Sequence, residues 1–80
     1  MPYIETAVRS SLEDGRKAMK PGELNYLFSK ECADYINRKG LSYTTINELI
    51  GALECAKLEL YRMVAVPYED QKSRDNGGVY

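Results

Sequence analysis

Histidine and tryptophan are both missing from this 80-residue chain, and cysteine occurs only twice, as Cys32 and Cys55. Without histidine there is no imidazole to take and return protons near neutral pH or to bind a metal. The two cysteines are far apart and form no C-x-x-C pair, so a Cys/His zinc site is excluded. A disulfide between them stays open, but in a chain rich in Lys and Glu they read more simply as reduced, buried thiols. A Gly-rich phosphate loop, a nucleophile elbow and a paired-carboxylate pocket signature are also missing. The chain therefore reads as non-enzymatic, with no cofactor and no metal. No excess of one charge exists either, with 11 basic against 12 acidic residues, so neither a basic field for nucleic acid nor a polyacidic tail is present. The opening Met1-Pro2-Tyr3-Ile4-Glu5 has no basic start and no apolar stretch, and does not read as a signal peptide. The most apolar segment carries Glu48, Glu54, Lys57, Glu59 and Arg62, which rules it out as a membrane span. A cytoplasmic protein is expected.

What the chain does have is one long helix-period run from Thr44 to Val66, followed by Pro67. Ile46, Leu49, Ile50, Leu53, Ala56, Leu60, Met63 and Val64 recur at helical steps and form a wide stripe. Gly51, Ala52, Cys55 and Ala56 are small residues behind it that let another backbone approach, and Leu58 and Ala65 extend that rear side. A helix apolar on two sides packs against two neighbours. A second helix is predicted over 21–39, with Leu24, Leu27, Phe28, Cys32, Tyr35 and Ile36 on one face. Pro21 marks its start and Gly40 an αL stop, with Arg38 and Lys39 favourable at the negative end of the dipole. Thr44 is the expected N-cap of the third helix, with Ser42 the alternative. Pro67 should end or kink that helix and begin a short fourth one over 67–75, with Glu69 and Asp70 early, Arg74 late and Asn76-Gly77 as the stop. Residues 1–20 are weakly patterned, a short helix from about Glu5 to Ala18 being interrupted by Gly15, and 76–80 reads as a tail.

These elements predict an all-α fold: a single domain built as a small helical bundle, with two main antiparallel helices (21–39 and 44–66) and short helical pieces at either end. A chain of this size buries only roughly 60–65% of the surface that its unfolded form exposes. Small scaffolds usually need a disulfide, a metal or a partner chain. With the first two disfavoured, a homodimer or higher homo-oligomer is expected. Ile46, Ile50, Gly51, Leu53, Cys55 and Leu58 are its candidate interface.

Lys57 falls inside the apolar stripe, with Glu54 one turn before and Tyr61 one turn after. One reading is a buried polar cluster that binds an anion or moves a proton. The plainer one is a lysine whose stem lies on apolar surface while its ammonium pairs with Glu54 at i, i+3. Glu23 at the start of the second helix reads as compensation of the helix dipole. Glu59 and Arg62 read as a surface ion pair. Seven tyrosines suit a protein interface, since each buries area and keeps a polar handle. The spacing of Ile36, Gly40, Ile46 and Leu49 also suits a helix-turn-helix. However, the would-be recognition helix has no cation before Lys57, and DNA binding draws on phosphate neutralisation. Nucleic acid is thus a disfavoured partner. A small-ligand or nucleotide binder at a subunit interface is a further alternative.

Three stretches carry a resemblance: Pro21-Gly22-Glu23-Leu24-Asn25-Tyr26, the run from Tyr43 to Arg62, and Pro67-Tyr68-Glu69-Asp70 with Lys72 and Asn76-Gly77. Together with the Met1-Pro2-Tyr3-Ile4 start, they resemble a family of small uncharacterised proteins from bacteriophages and bacteria, a domain of unknown function. The resemblance covers most of the chain and is weakest over 5–20. It brings no assigned activity and no site residue. It implies a phage-associated accessory protein that acts by binding, for instance by modulating a host protein whose identity is unknown.

Overall fold

Pro21 opens one helix, Gly40 closes it, and Ser42 opens the next. A computed structural model describes residues 4–78. All regular structure among them is helical: α1 (Thr6–Glu13), α2 (Pro21–Lys39), α3 (Tyr43–Leu60), a π-helical turn (Tyr61–Ala65) and α4 (Val66–Asn76). The chain is all-α. Met1-Pro2-Tyr3 and Val79-Tyr80, which the sequence reading assigned to a weakly structured start and a tail, lie outside the described residues. The chain divides into two compact units, one reaching to Thr45 and the other beginning at Ile46.

In the first unit, α1 packs on α2. The sequence reading left this stretch weakly structured, yet it holds Ile4 and Leu12, the buried apolar side chains among the described residues. Helix α1 stops well before Ala18. The Gly15 N–H donates to the Leu12 carbonyl at 3.1 Å, and Gly15 takes φ +104°, which turns the chain out of the helix. Helix α2 starts where proline is best tolerated, because Pro21 occupies the first turn and the N–H it lacks would have no intrahelical acceptor there. At its far end the Gly40 N–H donates to the Ile36 carbonyl at 2.7 Å. Gly40 has φ +91° and ψ 147°, outside the αL region that the sequence reading assigned to it but equally a conformation that suits glycine.

The cap of α3 is Ser42 and not Thr44. The Thr45 N–H donates to Ser42 Oγ at 3.1 Å, and the Ser42 hydroxyl lies 3.1 Å from Thr45 Oγ1. Thr44 already lies inside the first turn, so its hydroxyl cannot serve the N–H groups that follow a cap.

In the second unit the backbone stays helical from Ile46 to Asn76, a rod of roughly 45 Å at about 1.5 Å per residue. Pro67 does not end the helical run: of the two expected outcomes, an end or a kink, the backbone shows a local deformation before it, and the helix expected over 67–75 is present as α4. The regular α-helix ends earlier, at Leu60, and a π turn follows in which the Val66 N–H donates to the Tyr61 carbonyl, an i→i−5 bond. A proline ring inside an α-helix collides with the carbonyl four residues back and leaves it without a donor. Widening the turn ahead of Pro67 relieves that collision, so the rod absorbs the proline as a local bulge. Val66 keeps helical angles, φ −63° and ψ −51°, although a following proline disfavours them. No described helix is long and apolar enough to cross a membrane.

Candidate interaction surface

The surface comes directly from the continuity of the rod. Because this unit never folds back, its own residues cannot cover its apolar side chains. The sequence reading placed the core along this helix. Instead, Ile50 is 60% exposed, and Leu53, Leu58, Leu60, Met63, Val64 and Tyr68 are exposed with it, while Ile46 and Leu49 are only half-buried. Gly51 and Cys55, the small residues of the candidate interface, are exposed too. All six predicted interface residues therefore sit on one rod, five of them exposed and Ile46 half-buried, and Cys55 carries a free thiol.

The π turn shapes this surface. Its i→i+5 step adds roughly one residue to the repeat. A regular α-helix would follow Leu60 and Val64 with Pro67 on the same line; the wider turn puts Tyr68 there. Beside the turn lies an apolar groove of about 420 Å³ lined by Lys57, Leu58, Leu60, Tyr61 and Ala65. Leu60 and Ala65 were read as apolar from the sequence, and the turn itself is the part of this surface that the sequence reading missed. The one signal for it was a proline set inside an otherwise helical pattern.

The polar trio of Glu54, Lys57 and Tyr61 is partly assembled. Lys57 Nζ lies 3.2 Å from Glu54 Oε1, and the lysine side chain is 70% exposed. The pairing follows the plainer reading, and the stem of Lys57 helps to line the groove. Arg62 pairs with Glu59 at 3.0 Å, as its spacing suggested. Among the described residues no group of His, Cys, Asp and Glu could hold a metal ion.

A second set of polar contacts, which the sequence reading did not find, pins the first unit. The Glu23 side chain is buried. Its Oε1 accepts the Met19 N–H at 2.9 Å and its Oε2 accepts Arg16 Nη2 at 2.9 Å. Those two bonds, the backbone one first, hold its carboxyl below the usual carboxylate value. Glu23 thus ties the segment after α1 to the first turn of α2, which is more than compensation of a dipole. One turn further along α2 the Tyr26 hydroxyl donates to Glu13 Oε1 at 2.9 Å, which pushes the phenol up, and the Arg9 guanidinium lies 5.7 Å from the centre of the Tyr26 ring. Lys30 pairs with Asp34 at 3.1 Å, and that hydrogen bond raises its ammonium. A recess of about 260 Å³ by Ile4, Val8, Lys20 and Glu23 lies in this unit, but Glu23 already has both its oxygens engaged there.

A family model described as a domain of unknown function, DUF6899, matches residues 1–79. The chain belongs to that family. Neither a curated protein nor a solved structure matches it.

Proposed function

We propose that this protein is a non-enzymatic interaction module that self-associates and works through the apolar face of the α3–α4 rod. The observation that carries the reading is the run of exposed large side chains from Ile50 to Tyr68. Single exposed leucines are ordinary on a protein surface, but a contiguous apolar strip on one helix marks an interaction site. The apolar groove beside the π turn supports a protein occupant over a nucleotide, because no cluster of cations accompanies it. In the assembled form the reading builds a small bundle with antiparallel main helices. The exposed Leu24 and Phe28 of α2 supply its second apolar stripe. The likeness to small phage and bacterial proteins extends the reading to a cytoplasmic accessory protein that modulates a host protein. Light scattering on the purified chain tests self-association. The expected mass is a multiple of 9.1 kDa, reduced to a single chain by Leu53→Asp. A wild-type chain that keeps its helicity as a monomer at micromolar concentration overturns the reading.

A further inference from the structure

We infer that Asn76 is a site of spontaneous deamidation, held in check by the last turn of α4. Asparagine followed by glycine is the pair in which a backbone nitrogen most readily reaches the preceding side-chain amide, because glycine has no Cβ to shield it. The chain has four asparagines, and Asn76-Gly77 is the one such pair. Asn25, Asn37 and Asn47 precede Tyr26, Arg38 and Glu48 and lie within α2 and α3. Asn76 is the last residue of α4, and residues 67–78 are all exposed. A Cβ at Gly77 would meet nothing within 4 Å, so its nitrogen stands in open space. The side-chain hydrogen bonds of that turn join Gln71 to Asp75 at 3.0 Å and to Arg74 at 2.6 Å, and leave the Asn76 amide outside.

A backbone bond restrains the reaction. The Gly77 N–H donates to the Ser73 carbonyl at 2.8 Å, which aims it back along the helix and away from Asn76 Cγ. Helix ends fray at almost no cost in free energy, so this bond opens often, whereas an asparagine inside a helix is freed only by a larger opening. With the turn open, the Gly77 nitrogen gives its proton to hydroxide and attacks Asn76 Cγ. A C–N bond forms, a cyclic imide closes, and the side-chain nitrogen leaves as ammonia. Water then opens the ring at either carbonyl and yields aspartate or isoaspartate; nothing is oxidised or reduced. Both products set a new negative charge beside Asp75, at the helix end where the dipole disfavours it. Isoaspartate also lengthens the backbone and so displaces Gly77 from Ser73. The change therefore loosens the turn that restrained it. Asp14-Gly15 offers a similar ring closure, but it lies in the packed first unit. There the Gly15 N–H is held by the Leu12 carbonyl at 3.1 Å and the Arg16 N–H by the Ser11 carbonyl at 3.0 Å, and a carboxylate is a poorer electrophile than an amide.

Peptide mapping by mass spectrometry, on the full chain kept folded at mildly alkaline pH, tests the inference. Trypsin cuts after Arg74 and releases residues 75–80, in which Asn76 is the only asparagine. A growing mixture of aspartate and isoaspartate is expected at position 76, with Asn25, Asn37, Asn47 and Asp14 unchanged over the same period. In urea, which removes the turn, conversion at Asn76 runs severalfold faster. Gly77→Ala separates the glycine from the turn. Its methyl group strains the positive φ of 75° and loosens the helix end, yet it shields the nitrogen, so conversion slows. None of these readouts depends on whether the chain self-associates. An Asn76 that stays intact through prolonged incubation in urea overturns the site. Equal rates in the folded chain and in urea overturn the restraint by α4. Conversion of Asn25, Asn37 or Asn47 as fast as that of Asn76 in the folded chain overturns both. A Gly77→Ala chain that converts as fast as the wild type overturns the part given to glycine.

Discussion

Leu12 on α1 and Leu53 on α3 are the same side chain on the same kind of element, yet the first is 3% exposed and the second 46%. The difference lies in what the chain does next. After α1 it turns at Gly15 and returns through Lys20 and Pro21, so α2 can cover the face that Leu12 presents. After Leu53 it continues as helix through the π turn into α4, and no part of that unit returns. The first unit is also tied by polar contacts, Glu23 to the segment between its two helices and Tyr26 to Glu13 of α1. The second has ion pairs only along its own helix, Glu54–Lys57 and Glu59–Arg62. One unit covers its apolar side chains with its own chain, and the other leaves them exposed.

The sharpest way to break this comparison is to damage the first unit and watch the second. Leu12→Ala removes a buried side chain from a very small core, and such truncations cost about 2–5 kcal/mol. The α1–α2 unit should lose most of its resistance to urea, followed by exchange of its amides, while the mass in light scattering stays that of the wild type. Equal loss of association would mean that the two units share one core. Pro67→Ala sharpens the contrast from the other side. Alanine restores the missing N–H and is about 3 kcal/mol more favourable than proline inside a helix. The rod should gain helical stability and lose its π turn, and Tyr68 should rotate off the line of Leu60 and Val64. Association is then expected to weaken several-fold even as the helix melts at a higher temperature. A variant in which both quantities rise would show that the bulge does not shape the contact.

How far the sequence carried depends on the range of the physics involved. Pro21, Gly40 and the i, i+3 spacing of Glu54 and Lys57 act within a turn of helix, and each was readable from neighbouring residues alone. The helical period likewise set Ile46, Ile50, Leu53 and Leu58 on one rod. What escaped needs a knowledge of what the surrounding chain does. Pro67 has the same local chemistry whether it stops a helix or is absorbed by a wider turn, and the flanking Val66 and Tyr68 do not by themselves decide between the two. Glu23 occupies an ordinary first-turn position, and its role depends on Arg16 and the Met19 N–H arriving beside it. Burial was misjudged for a similar reason. The apolar content of α3 pointed to a core, but burial requires a covering segment, and the weakly patterned N-terminal stretch was the one that had it.

Acid separates the units by a different route. Because the folded pKa of Glu23 is lowered, its contribution is complete above the ordinary value of 4.5 and is lost as pH falls through the folded value. For Tyr26 and Lys30 the folded values are raised, so their contributions are complete below 10.0 and 10.5 respectively and are lost as pH rises through the folded values. The α1–α2 unit should thus loosen at both extremes. Glu23→Gln keeps an oxygen for the Met19 N–H but gives up the charge that Arg16 meets. It should leave the fold intact at neutral pH, lower its melting temperature modestly and flatten the acid side of its stability profile. Tyrosine fluorescence followed from neutral pH downward checks this. An acid transition unchanged by the substitution would remove Glu23 as its cause.

The smallest effect is expected at the thiols, where the comparison predicts different reasons for the same result. Cys32 is half-buried on α2 and Cys55 exposed on the rod, and both are free. A serine at 55 meets water and leaves the apolar row opposite it untouched. A serine at 32 brings a hydroxyl into a partly covered helix, where it can bond back to the carbonyl one turn earlier at little cost. The double variant Cys32→Ser, Cys55→Ser should therefore melt within about 1 kcal/mol of the wild type and associate equally well, in reducing and oxidising buffer alike. If the wild type alone became markedly more stable on oxidation, a disulfide would be acting as its staple. The rod would then owe part of its stability to a covalent bond, and its exposed apolar face would no longer need a second copy to account for it.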